Sequence, residues 1–412
     1  MSIALIQLIS EQTMQNLVPV LALKPAKVFH LATPKTASRS ACIVEAARQA
    51  QVSAALENVR LSEMPSIPET SRAVVRAIAE AKAQGLTPVI NFTGGTKLMS
   101  IGAYEAAMRE AVVSLYVDTD HQQFLDGHTG TKLNSVLGDD FSFTALQRAL
   151  TVNAIAVANG RQRVTGSRDW KPYLELARYL LENSDQEAAT WSAVHGPTGL
   201  CPNGREPRRP ADWLPVLNKP VLLPSRVAEL ALAAGLVRSH GPSLLLPDTT
   251  RAQLEVLAQA GRSAPGFEYF AAVRPLQFVL AFLSGAWWEV AVIDAADRSG
   301  QFRDLRWSIN IGEGQGGFDQ EEDIVGVDGV QIAYFSCKRG GAKARLVPHL
   351  DELNNRARSI GGNFSRRFLG VCLPLFAQNA RNLEKRAQEL GGIQIITRHD
   401  LKYPEIFNRR NR

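Results

Sequence analysis

Apolar and polar positions change their period along the chain. Over roughly the first 150 residues, short apolar or β-branched runs alternate with Ala-rich amphipathic ones, the pattern of a parallel sheet with helices on its faces. Strands are predicted at 3–9, 28–32, 56–61, 89–92 and 112–117, each followed by a polar turn. A different order begins at 267: a long apolar segment (267–290), a strand (305–311), two β-rich runs (323–327 and 330–336), a helix (349–358), a strand (368–373), a helix (380–390) and a strand (393–397). Gly361-Gly362 and Gly391-Gly392 stand where helix C-caps belong. Between these halves, 173–181 reads as a helix and 195–210 as a Gly/Pro loop carrying Arg205, Arg208 and Arg209. The stretches 222–237 and 243–248 then read helix, helix and short strand, in the manner of a winged-helix unit, a DNA reader or a rigid spacer. The expected division is 1–150, 151–265 and 266–412.

A chain of 412 residues exceeds one ordinary core and fits such a division. The net charge of +6 is compatible with a polyanionic partner without requiring one. Four cysteines form no CxxC pair and seven histidines show no zinc-ligand spacing, which points to a reducing, cytoplasmic setting. The first ten residues lack the basic start and cleavage site of a signal peptide. No apolar run is read as reaching membrane-spanning length uninterrupted, so a membrane-embedded protein is not expected.

Two stretches carry candidate chemistry. In the first half, Ser10-Glu11-Gln12-Thr13, Thr33-Pro34-Lys35-Thr36 and Thr93-Gly94-Gly95-Thr96-Lys97 follow predicted strands. Ligands of open α/β sheets bind at such carboxyl ends, and glycine turns there expose N–H groups to phosphate. Neither GxGxxG nor GxxxxGK[ST] occurs in this first half, which counts against a dinucleotide oxidoreductase and a nucleoside triphosphatase there. In the second half, Asp328-Gly329 is the favoured centre of a type I′ hairpin turn. That turn sets Val327 opposite Val330, points Asp323, Ser336 and Lys338 to one face, and places Glu321 directly across from Ser336. Trp287-Trp288-Glu289 brings a further carboxylate at the end of the apolar segment. The charges form either a solvated strand end or a site.

An acid on a helix, an acid on one strand and a lysine two residues beyond a polar position on the next resemble the PD-(D/E)xK nuclease superfamily. The resemblance implies Glu289 and Asp323 as ligands of Mg²⁺ or Mn²⁺ and Lys338 as the catalytic lysine that positions or deprotonates the attacking water. Ser336 stands where that family carries an acid, and Glu321 is the candidate to replace the missing carboxylate. Asn91-Phe92-Thr93-Gly94-Gly95-Thr96-Lys97-Leu98-Met99 resembles the ligand-binding turn of a CARF domain, the CRISPR-associated Rossmann-like fold that binds cyclic oligoadenylates. Ile9-Ser10-Glu11-Gln12 followed by Asn16-Leu17-Val18-Pro19 fits the same family. Together they resemble the ancillary nucleases of type III CRISPR systems.

The fold so implied is α/β, a Rossmann-like CARF domain and a restriction-endonuclease-like domain around a mainly helical, winged-helix-like middle. Ser10, Gln12, Thr33, Thr93, Gly94, Gly95, Thr96, Lys97 and Met99 become the expected ligand contacts. The implied activity is a metal-dependent endonuclease, a homodimer switched on by a cyclic oligoadenylate, preferably cyclic tetraadenylate. Its substrates would be single-stranded RNA and/or DNA, with nicking of duplex DNA, in antiviral defence. Arg339, Lys343 and Arg345 are candidates for gripping a nucleic-acid backbone. The alternative is a ligand-regulated DNA-binding protein with an inactive nuclease domain.

Overall fold

The computed structural model describes residues 2–408 except 120, 122, 134–145, 147–148, 162, 205, 261–265, 313–319, 342–343 and 363–364. Its first sheet joins β1 (Ile3–Leu8), β2 (Lys27–Ala32), β3 (Ala55–Arg60), β4 (Thr87–Asn91), β5 (Val113–Asp118) and β6 (Gln123–Asp126) in the order β3-β2-β1-β4-β5-β6. All neighbours are parallel except β5 and β6. The near-continuous apolar run of β1 follows from burial on both faces. Helices α1 (Met14–Leu23) and α2 (Ala37–Gln49) supply Leu17, Val18 and Ile43 to one core. Helices α3 (Ile67–Ala83) and α4 (Lys97–Arg109) supply Val74, Ile78 and Ala103 to the other. The strand order reverses between β1 and β4, which opens a crevice at their carboxyl ends.

Helix α5 (Val152–Ala158) continues the first core into a second sheet: Val152 and Ile155 pack in one cluster with Ile43 on one side and Ile309, Ile332 and Leu353 on the other. That sheet has the order β14-β13-β12-β11-β10-β7, from β7 (Arg163–Thr165), β10 (Arg303–Gly312), β11 (Gln320–Asp328), β12 (Gln331–Gly340), β13 (Arg366–Leu373) and β14 (Gln394–Thr397). It is antiparallel from β7 to β12 and parallel from β12 to β14. Residues 163–165, inside the stretch expected to be a middle segment, are thus its edge strand.

Helices Leu174–Glu182, Ser184–His195, Pro210–Leu217, Ser225–Ala233 and Arg251–Gln259, with a small hairpin β8 (Arg238–His240) and β9 (Ser243–Leu245), follow β7. They are no freestanding spacer. Leu180, Trp213, Val227 and Leu254 share one apolar cluster with Trp288, Phe335 and Phe368, because this face of the second sheet needs a cover. The apolar segment runs as helix Gly266–Ala281, a π-turn Phe282–Ala286 and helix Trp287–Arg298. By length and composition Glu268–Arg298 reaches membrane-spanning size, contrary to the sequence reading, yet 61% of its most apolar 18-residue stretch is buried inside the fold. Helix Val347–Gly361 covers the opposite face and ends at Gly362, which takes φ 70°.

Candidate functional site

The three turns of the first sheet meet at its carboxyl edge. Asn16 Nδ2 donates to Leu8 O at 2.8 Å and its Oδ1 accepts from Ser10 N at 3.3 Å, holding the chain as it leaves β1. Gly94 lies so close that a Cβ there would fall 2.3 Å from Leu8 O, and Gly95 takes φ 77°. Those two glycines are therefore demanded by close approach and by a left-handed backbone. Thr96 caps α4, accepting from Met99 N at 3.3 Å, so the exposed Lys97 begins the helix beside free N–H groups. Thr93 N donates to Asn91 Oδ1 at 3.1 Å, and Thr93 Oγ1 accepts from Val117 N at 2.8 Å. Thr33 is buried but lines a cavity beyond β2 and β3. Gln12 opens on a polar cleft of about 550 Å³ shared with Arg39, Asn159 and Arg358. Met99, expected among the ligand contacts, is 1% exposed, in the core formed with β1 and α3.

In the second sheet the predicted hairpin forms with its turn displaced by one residue. Asp328 pairs with Gln331 and Val327 with Ile332, so the loop is Gly329-Val330. The reason is Asp328 itself, which is fully buried and ion-paired with the Arg366 guanidinium and cannot leave the strand. Gly329 takes φ 62° while Val330 keeps negative φ, the sign pattern of a type II′ turn. Asp323, not Glu321, therefore comes level with Ser336.

Side-chain alternation also slips. Trp307 pairs with Ile324 and Ile309 with Glu322, yet Trp307 and Ile324 pack against the apolar helix while Ile309 lies in the opposite core. Glu322 follows Ile309 and is ion-paired to Arg356 of the helix Val347–Gly361 at 3.2 Å. Between the two pairs Ser308 takes φ 50°, a conformation that costs a non-glycine residue roughly 1–3 kcal/mol. Asp323, across from Ser308, turns toward the apolar helix and the Glu289 carboxyl.

The resulting cluster is tight. Asp323 Oδ2 accepts from Cys337 N at 2.6 Å and from Ser336 Oγ at 3.4 Å, and lies 3.6 Å from Lys338 Nζ. Glu289, in the first turn of its helix, accepts from Trp307 Nε1 at 2.7 Å. Burial, then the charge of Asp323 and more weakly that of Glu321, pushes the Glu289 carboxyl up to about 8, against the opposing pull of Trp307 and Lys338. Glu321 does not replace the missing acid opposite Ser336, since its Oε1 accepts from Ser308 Oγ at 2.6 Å.

The donor set suits a hard cation. Two partly open carboxyl groups, that of Glu289 kept protonated mainly by burial, match Mg²⁺, which takes one or two protein carboxylates and completes its shell with water and phosphate. Among the described residues no three His, Cys, Asp or Glu side chains converge on one point, so Glu289 and Asp323 are the fitting pair and Glu321 stands apart.

Of the expected basic grips, Arg339 is engaged elsewhere, donating to Glu187 Oε1 at 3.1 and 3.0 Å and lying over Trp191. Arg345 is exposed, and Lys343 and Arg205 lie outside the described residues. Sequence reading missed Arg168 and Arg274. They line a cleft of about 660 Å³ with Tyr173 and Phe278, and Arg168 stacks on Phe278 at 4.1 Å. Burial lowers the Arg168 pKa, while Glu321 and Glu289 are near enough to oppose that. No spacing signal marks these arginines; the edge strand β7 and the apolar helix bring them together.

Residues 4–139 match the family model described as the Card1 CARF domain, and the N-terminal sheet is accordingly a Rossmann-like CARF domain. No curated protein matches the chain. Among solved structures, Can2 from Sulfobacillus thermosulfidooxidans, in complex with cyclic tetra-adenylate, is similar at 18% identity and a TM-score of 0.66 over 98% of each chain. The protein VC1899 from Vibrio cholerae is similar at 12% identity and a TM-score of 0.66 over 98% of this chain and 96% of that one. A type III CRISPR defence DNA nuclease activated by cyclic oligoadenylate is similar at 16% identity and a TM-score of 0.52, covering 91% of this chain and 46% of its own. These likenesses establish the fold.

Proposed function

We propose that the chain is a cyclic oligoadenylate-activated, metal-dependent nuclease of type III CRISPR defence, with cyclic tetraadenylate as activator. The observation that carries the nuclease half is the convergence of Glu289, Asp323 and Lys338 at the open end of the β11–β12 hairpin. The set resembles that of a PD-(D/E)xK site, with Ser336 departing from it where an acid is usual. Glu289 and Asp323 would hold Mg²⁺ or Mn²⁺, which supplies Lewis-acid neutralisation of a phosphodiester. Lys338, 3.6 Å from Asp323, would stand beside a bound phosphate, and Cys337 N–H fixes the Asp323 carboxylate. The cleft lined by Arg168, Arg274, Tyr173 and Phe278 offers cationic and aromatic contacts to a single strand of RNA or DNA.

The activator half rests on the CARF domain and on the solved complex of Can2 with cyclic tetra-adenylate. A homodimer is supported by the apolar stripe of α4: Leu98, Ile101 and Met108 are 51%, 45% and 53% exposed, beside the Thr93–Lys97 turn. A two-fold pairing across that stripe would set two ligand turns against one symmetric ring.

Digestion of single-stranded RNA and DNA with Mn²⁺, with and without cyclic tetraadenylate, tests the reading. Cleavage that requires both, and vanishes in Asp323→Ala, is the expected result. Activator-dependent DNA retention without cleavage in any metal would favour the DNA-binding alternative, to which Ser336 at an acid position lends its one observation.

A further inference from the structure

One layer below the carboxyl edge of the first sheet, four adjacent strands carry polar side chains at the same level. Asn91 of β4 pairs with Gln7 of β1, Gln7 with His30 of β2, and His30 with Asn58 of β3. Gln7, His30 and Asn91 are wholly buried, and Ser40 of α2, 1% exposed, reaches between His30 and Asn58. The contacts run without a gap: Asn91 Nδ2 to Gln7 Oε1 at 3.3 Å, Gln7 Nε2 to His30 Nε2 at 2.7 Å, His30 Nδ1 to Ser40 Oγ at 2.7 Å and Ser40 Oγ to Asn58 Oδ1 at 2.5 Å.

The row has a sense, and backbone groups set it. Asn91 Oδ1 accepts from Thr93 N, and Asn91 Nδ2 donates to Gln15 O at 2.9 Å. A backbone N–H can only donate and a carbonyl can only accept, so the Asn91 amide has one orientation. Gln7 must then turn its oxygen to Asn91 and its nitrogen to His30. His30 accepts at Nε2 and carries its proton on Nδ1, which it gives to Ser40. The Ser40 hydroxyl proton is left for Asn58 Oδ1, and the Asn58 Nδ2 group is left facing outward. Burial holds the imidazole neutral, its pKa pushed down to about 3.

Asn58 is exposed on the wall of a cavity of about 460 Å³ at the ends of β2 and β3, where the other polar side chains are Thr33 and Arg60. We propose that Asn58 is a ligand-contacting residue of this cavity, that the row from Asn91 fixes its amide as a donor, and that it receives a phosphodiester oxygen. The donor sense and the neighbouring Arg60 guanidinium select an anionic acceptor. The inference rests on reading the N-terminal domain as a cyclic oligoadenylate receptor.

Calorimetric titration with cyclic tetraadenylate tests it. Asn58→Asp keeps an oxygen for the Ser40 hydroxyl and replaces only the outward donors, so affinity should fall at least about tenfold. His30→Gln, which still accepts from Gln7 and donates to Ser40, should stay within about threefold, while His30→Leu, which cuts the row, should weaken binding several-fold. Binding by the wild type with unchanged affinity in Asn58→Asp overturns the role of Asn58 alone. Failure of the wild type to bind overturns the receptor reading and with it the ligand assigned to this cavity. Independently of any ligand, ¹⁵N NMR of His30 should show a protonated Nδ1 and a bare Nε2, and the opposite tautomer overturns the directed row.

Discussion

In the first sheet, Gln7, His30 and Asn91 are buried side by side without a formal charge, and each hydrogen bond in the row matches a donor to an acceptor. At the open end of the β11–β12 hairpin, Glu289 and Asp323 instead lie close together near Lys338, and the Glu289 carboxyl, mainly through burial, is held protonated near neutral pH. Both arrangements lie at one end of a six-stranded sheet. The first satisfies its buried donors and acceptors internally and leaves only the outward Asn58 donors open. The second keeps two acids so close and so buried that one of them holds its proton, and such shifted groups mark a candidate reacting site. A neutral buried row in the first sheet and a pair of close acids in the second are thus separate devices, joined through α5, which packs on both sheets.

The largest expected effect comes from removing one of the close acids. Asp323→Ala should lower activator-dependent cleavage by about 10³-fold or more, measured as single-turnover rate, while calorimetric affinity for cyclic tetraadenylate stays as in the wild type. A matching loss of activator binding would show that the two regions are not separable. Lys338→Met should cost about 10²–10³-fold in rate with little change in the metal concentration giving half-maximal activity, because charge beside the phosphate is lost and the carboxylates remain.

On the sensor side, Lys97→Ala should raise the activator concentration for half-maximal cleavage by roughly tenfold, through loss of one charge-assisted phosphate contact at the start of α4. The maximal rate at saturating cyclic tetraadenylate should not move; a lowered maximum would place Lys97 in the switch rather than in the pocket.

The smallest effect is on stability, and its sign separates the two regions. Glu289 has its folded pKa raised to about 8 from 4.5, so the folded state holds the extra proton between those values and stability is lost as pH rises through that window. His30 has its folded pKa lowered to about 3 from 6.5, so the unfolded state holds the extra proton there and stability is lost as pH falls from 6.5 toward 3. Thermal midpoints measured in chelator across pH 4 to 9 should therefore fall at both ends. Glu289→Gln should flatten the alkaline limb and His30→Gln the acid limb. If either variant flattens the other limb, the assignment of these shifted groups to the two sheets is wrong.

Much of this architecture was legible in the linear chain. The apolar runs of β1, β2, β4 and β5 announced a sheet with helices on its faces, and the glycines at 94 and 95 announced a turn at its carboxyl edge. The hairpin was legible too, as was the gathering of an acid, a serine and a lysine at its open end. These features depend on period, on turn chemistry and on residues within a few positions of one another, which is the range over which a chain constrains itself.

What the chain alone did not determine depends on partners far away in sequence. The turn moved because Asp328 found Arg366, 38 residues on, and a buried ion pair outweighs the local preference for Asp at a turn centre. Asp323 met Glu289 because Ser308 adopts φ 50° and breaks the alternation, a conformation that local propensity argues against and that only the surrounding sheet enforces. Met99 went to the core because α4 turns that side chain under Leu8 and Gly95. The Arg168 cleft exists because residues 163–165 join a sheet whose next strand begins at Arg303. The hairpin case shows the reason: moving Asp328 into the turn would leave the buried Arg366 guanidinium without its carboxylate, and such partners are defined only once distant segments have packed.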